Sequence, residues 1–139
     1  LWDDNFFSAS DATRFLELLW QGDLLDDEET AALLEWSART PTSGFGAWIP
    51  AGLPEAALGG VHHKPGAIPP DVIAGYTVSH DIGIVETPDG GAYAISILAS
   101  GGRDYYGRQI PLLPYISCVT YFALTDGDGA DPFARCHRP

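Results

Sequence analysis

The five residues Thr87-Pro88-Asp89-Gly90-Gly91 constrain this chain more than any other stretch. Proline fixes φ near −65°, and Asp-Gly-Gly brings residues at ease with positive φ, which is what a tight chain reversal requires. Apolar runs of strand length lie on either side, at 82–86 and 92–98. The spacing therefore predicts two antiparallel neighbours joined by a hairpin turn. A shorter apolar run at 60–64 predicts a third strand before them.

Helical periodicity dominates the chain before that point. Ser8 with Asp11 three residues later reads as a capping box, and Phe15, Leu16, Leu18 and Leu19 follow as an apolar stripe that Gly22 ends. A second helix starts at Asp26, with Glu29 three residues on and acidic residues in the first turn, where the helix dipole favours them. Ala32, Leu33 and Trp36 give it a buried face, and Thr40-Pro41 stops it. Residues 42–60 are rich in Gly, Pro and Ala and read as loop, with Trp48 and Ile49 as anchors. Residues 110–124 are apolar almost all round, which predicts a helix buried against the sheet. Pro111 and Pro114 fit such a helix only near its first turn.

The expected organisation is one partial domain of the α+β class, an antiparallel sheet with packed helices. A helix pair occupies 1–40, a loop 41–59, a three-stranded antiparallel sheet 60–98, a C-terminal helix 110–125 and a tail 126–139. Three strands and three helices leave a sheet edge unpaired and apolar surface uncovered. Something else is therefore expected to cover the other face and to pair with the free edge.

Composition excludes several function classes. The net charge of −12 argues against nucleic acid or an anionic membrane surface as partner, since both attract basic patches. No apolar run approaches the roughly 20 residues of a membrane span. Residues 1–11 lack the basic start and cleavage site of a signal peptide, and the sequence has no methionine, which fits a cleaved or truncated product. Cys118 and Cys136 have two readings. Paired, they pin the tail to the preceding helix, contribute roughly 3 kcal/mol and imply an oxidising compartment. Unpaired, they are one buried thiol and one in the tail.

Metal chemistry finds little support. His62 and His63 are adjacent on a strand and point to opposite faces, so they do not chelate one ion. The same geometry separates His80 from Asp81, and Asp81 reads as a structural carboxylate accepting backbone hydrogen bonds. The acidic run Asp126 to Asp131 has neither EF-hand spacing nor its terminal Glu. No metal and no cofactor is expected.

Two segments carry a family resemblance: Val61-His62-His63-Lys64-Pro65-Gly66 and Ser79-His80-Asp81-Ile82-Gly83-Ile84-Val85. They follow a capped helix pair and a Gly52-Leu53-Pro54 loop, and they precede a hairpin and a C-terminal helix. In that order, over about residues 8–124, the chain resembles the C-terminal part of class A β-lactamases and related penicillin-recognising serine hydrolases. The resemblance implies a β-lactamase-like fold whose N-terminal strands and nucleophile helix are absent, and with it a complementary N-terminal segment or a second chain as partner. It also implies a Lys-x-Gly strand bordering the cleft, a secreted or periplasmic location, and a small-molecule amide, ester or β-lactam as substrate. It places Lys64 as an electrostatic catalytic group and Gly66, Ala67 and Ser79 at the substrate.

The family's nucleophile comes from Ser-x-x-Lys, beside a Ser-Asp-Asn loop and, in class A, a general-base glutamate. Here Ser8, Ser10, Ser37, Ser43, Ser79, Ser96, Ser100 and Ser117 are not followed three residues later by Lys, and Asp4-Asn5 lacks the preceding serine. Pro65 stands where the family has Thr or Ser, which removes a hydroxyl and a backbone donor. Two functions follow. One is the C-terminal portion of an acyl-transferring hydrolase. The other is a non-catalytic binding module that pairs with a partner chain. Lys64 correspondingly reads as a cleft lysine or a solvated strand-end residue, and Ser79 as a replacement hydroxyl or a strand-end serine facing water.

Overall fold

The computed structural model describes residues 7–73, 75–126 and 130–138; Asp4-Asn5 and residues 127–129 of the acidic run lie outside them. Helix α1, Ala9–Gln21, begins at the expected capping box: the Asp11 N–H donates to Ser8 Oγ at 3.1 Å and the Ser8 N–H to Asp11 Oδ2 at 3.0 Å. Gly22 ends it at φ 76°, the left-handed conformation that suits a residue without Cβ. Helix α2, Asp27–Ala38, is capped by Asp26, whose Oδ1 accepts from the Glu29 N–H at 2.8 Å. Its expected buried face is only half realised, because no α2 residue is fully buried and Trp36 is 73% exposed.

The stretch read as loop contains two short helical turns, α3 at Trp48–Ala51 and a 3-10 turn at Glu55–Gly60. Trp48 and Ile49 are the anchors expected of them, both buried. The three strands then form one antiparallel sheet in the order β1, β2, β3. All are longer than the sequence runs suggested: β1 is Val61–Ile73, β2 Tyr76–Glu86 and β3 Ala92–Gly102. Strand β1 continues through Pro65 because it is an outer strand, where a missing N–H breaks no ladder. The turn between β2 and β3 forms as its residues require. The Thr87 N–H donates to Gly91 O at 2.8 Å and the Gly90 N–H to Thr87 O at 3.0 Å, with Gly90 at φ 85°.

The C-terminal helix corrects a sequence expectation. Helix α4 is Tyr106–Thr125, preceded by a 3-10 turn at Arg103–Tyr105, so Pro111 and Pro114 stand inside it rather than in its first turn. An interior proline costs about 3 kcal/mol by removing a hydrogen bond and crowding the turn before it. Burial of Leu113, Ser117 and Tyr121 on one side of α4 outweighs that local preference. A Cβ on Gly52 would lie 2.2 Å from Pro114 O and 2.7 Å from Cys118 N, so α3 and α4 meet only because Gly52 has none.

Side chains alternate across the sheet and define two layers. On one face Val61, Val85, Ile95 and Ile97 pack with Trp48, Ile49, Leu113 and Tyr121 under α3 and α4. On the other, α1 lies over β3 and α2 over β1. The expected disulfide joins Cys118 of α4 to Cys136, just past the short helix α5 at Pro132–Arg135. Arg135 reinforces it, pairing with Asp126 at 3.1 Å and stacking 5.0 Å from the Phe122 ring centroid.

Candidate functional site

Lys64 is the chain's single lysine. It sits on the outer strand opposite Ile82 and is exposed, with Nζ donating to the Pro65 carbonyl at 3.0 Å. Gly66, two residues on and on the same face, is also exposed; a Cβ there would meet nothing within 4 Å. Among the described residues, nothing stands where a side chain at 66 would begin. Beside Lys64 an apolar hollow of about 260 Å³ opens between α1, α2 and the sheet, lined by Phe15, Leu19, Leu33, Trp36, His62 and Ile82.

Ala67 and Ser79 face the other way. They are register partners across β1 and β2. Ala67 packs against the core under α4, and Ser79 is fully buried with no hydrogen-bond partner for its Oγ. The structure thus brings Lys64 and Gly66 together on one face and sets Ala67 and Ser79 on the opposite one. Arg103 and Arg108 are exposed beyond the sheet, with Arg108 5.9 Å from the Tyr105 ring.

Asp81 is fully buried and holds the strand in place from beneath. Its Oδ2 accepts from the Ile49 N–H at 2.8 Å, the backbone bond expected of it. Its second partner did not emerge from the sequence: His63 Nδ1 donates to Oδ1 at 3.0 Å. The signal for it is a register in which Pro65 faces Asp81 and His63 faces Gly83, which puts both side chains on one face. His62 points the opposite way, with Nδ1 2.9 Å from Leu34 O and Nε2 2.9 Å from Glu86 Oε1. Burial holds the His80 imidazole below its usual range, partly offset by the Ser79 backbone carbonyl, which favours the protonated ring. Burial, reinforced by Tyr121, pushes the Tyr93 hydroxyl well above the ordinary phenol range. Among the described residues no group of three or more His, Cys, Asp or Glu is gathered where it could hold a metal.

These features agree with comparison to known proteins. The model of the β-lactamase enzyme family matches residues 2–117, and the chain belongs to that family. No curated protein matches it. Among solved structures it is similar to PBP-A, with 27% identity and a TM-score of 0.70, covering 87% of this chain and 41% of that one. A single-residue variant of PBP-A, solved as an acyl-enzyme complex with penicillin G, matches at 26% identity and TM-score 0.69 over 87% and 41% of the two chains. A β-lactamase from Chitinophaga pinensis shares the fold, with 24% identity, a TM-score of 0.73 and coverage of 87% and 43%. The chain spans less than half the length of these proteins. Among the described residues, no helix is long and apolar enough to cross a membrane.

Proposed function

We propose that this chain is the C-terminal part of a serine β-lactamase-like hydrolase, completed by a segment that carries the nucleophile. The observation that carries the reading is the family match over residues 2–117 combined with an outer strand that displays Lys64 and Gly66. The completing segment packs against the apolar hollow and the half-covered α1–α2 side, and it pairs with the outer edge of β3. Its serine Oγ attacks the carbonyl carbon of an amide, ester or β-lactam, and the carbonyl oxygen takes the negative charge. Collapse breaks the C–N or C–O bond; the departing nitrogen or oxygen, which in a β-lactam stays tethered through the opened ring, takes up the proton that serine gave up, and water hydrolyses the acyl-enzyme to the acid and free serine. Lys64 stabilises the developing charge and draws in an anionic substrate. The backbone at Gly66 and Ala67 lines the substrate, while Ser79 acts from behind Ala67 by supporting the strand. The disulfide is consistent with a secreted or periplasmic setting.

The chain should be incubated with a chromogenic β-lactam, alone and with the segment encoded upstream of it. Turnover, or a mass increase equal to the acyl group, is expected only in the second mixture. No turnover and no adduct in either mixture sinks the reading.

Pro65 favours a second reading, a non-catalytic module that binds a partner chain. It stands on the displayed strand without the hydroxyl of Thr or Ser. In that case sedimentation shows a stable complex, and restoring the hydroxyl with Pro65→Thr gives no acylation even when the upstream segment is present. A compact monomer with no exposed apolar patch argues against it.

A further inference from the structure

His62 and His63 stand side by side on β1, point to opposite faces, and each place both ring nitrogens against acceptors. For His62 these are the carbonyl of Leu34 on α2 and the carboxylate of Glu86 on β2, both at 2.9 Å. For His63 they are Asp81 at 3.0 Å and the carbonyl of Pro41 at 3.2 Å. A carbonyl or carboxylate oxygen cannot donate, and a neutral imidazole carries a single N–H. Each arrangement is therefore complete only when the ring holds a proton on both nitrogens. From this geometry we infer that the His62–His63 pair is a protonation-dependent clamp, which fastens α2 and the turn after it to the strand that displays Lys64.

The two rings hold neighbouring points of one segment. His62 grips the middle of α2 at Leu34, where the Ser37 hydroxyl also donates at 2.8 Å. His63 grips the exit at Pro41. Five residues further on, Gly46 stands at φ 92°, and a Cβ there would lie 3.2 Å from Cγ of Pro65, so the held segment rests on the residue next to Lys64. The other contacts do not duplicate the clamp, because α2 buries no residue fully. Trp20 of α1 adds only a tilted ring contact to His62, 6.1 Å between centroids. When either ring gives up its second proton, one acceptor loses the ring N–H and a lone pair faces it instead.

Charged groups surround both rings. Glu86 and Asp81 of β2 are carboxylates in direct contact. On α1, Glu17 lies with Trp20 and Ile84 along a neighbouring hollow. Glu35 and Arg39 of α2 pair with each other. Lys64 is the opposing charge, and it is solvent-exposed. The inference concerns the chain's own packing and holds whether or not a nucleophile is supplied from elsewhere.

The test is heteronuclear NMR on the full chain at about pH 5.5 and about pH 8.5, on either side of the ordinary histidine range. At the lower pH the long-range imidazole spectra should show both nitrogens protonated on both rings. Amide-exchange protection across residues 33–41, corrected for the intrinsic pH dependence of exchange, should fall about tenfold at the higher pH, while strand β2 keeps its protection. In His62→Phe, which keeps a ring against Trp20, the step should shrink, while the His63 ring should still carry protons on both nitrogens at the lower pH. Singly protonated rings at the lower pH, or equal protection of residues 33–41 at both, overturn the inference. Both readings come from the unmodified chain, so the conclusion stands even if the variant does not fold.

Discussion

The two faces of the sheet are finished to different degrees. Under α3 and α4, Ile49, Val85 and Leu113 lose essentially all contact with solvent, and both backbone groups of Ile49 are matched: Asp81 takes its N–H, and Ser117 Oγ donates to its carbonyl at 2.8 Å, while Ser79 Oγ stays without a partner among the described residues. Under α1 and α2 the packing stays open. There Ile82, His80 and Leu98 are half-buried, an apolar hollow remains, and Trp36 and Phe15 face solvent. A chain that has to stand alone covers its apolar surface on both sides. The contrast teaches that the α3–α4 face is closed by the chain's own residues, while the α1–α2 face buries Ala12, Leu16, Leu19 and Ile84 yet keeps a hollow and exposed rings.

Substitutions can break or sharpen that contrast. The largest effect is expected from Asp81→Ala on the closed face. It leaves the Ile49 N–H and the His63 ring buried without their acceptor, and should lower stability by about 3–5 kcal/mol in denaturant unfolding. An equal loss from a conservative change on the open face would overturn the comparison. Next comes Gly52→Ala. Its Cβ has to displace the backbone of α4, for a cost of about 1–3 kcal/mol read as a drop in Tm with no change in substrate-independent properties of α1.

The open face should respond to pH. Folding holds His80 below its unfolded value, so below about pH 6.5 the unfolded chain binds the extra proton more readily. The stability that His80 contributes is present above the unfolded value and is lost as pH falls. Comparing unfolding at about pH 7.5 and about pH 5.5, His80→Gln should flatten that loss. The smallest effect is expected at Trp36→Ser, within about 0.5 kcal/mol, since this ring is largely in solvent. A large loss there would mean that the open face is already closed in the isolated chain.

Much of this was legible in the residues. The capping box at Ser8, the Asp26 cap and the Thr87 to Gly91 turn are local chemistry, and local chemistry reads directly from sequence. Tertiary effects did not read in the same way. The apolar run at 60–64 predicted a short strand, yet an outer strand tolerates Pro65, and β1 runs on to Ile73. Pro111 and Pro114 suggested a later helix start, yet burial of Leu113 and Ser117 carries α4 back to Tyr106. At the site, Lys64 and Gly66 emerged from motif order alone. The partnership of His63 with Asp81 did not, because it depends on a strand register that neither segment specifies by itself.

Strand β3 is worth following one step further. Ala92–Gly102 reads AYAISILASGG: eleven residues without a charge or a proline, at the margin of the sheet. Sheet margins ordinarily carry such gatekeepers, because an uncharged, regular strand templates growth by its own kind. Made on its own at high concentration, this chain would thus be inclined to stack strand on strand into insoluble fibrils.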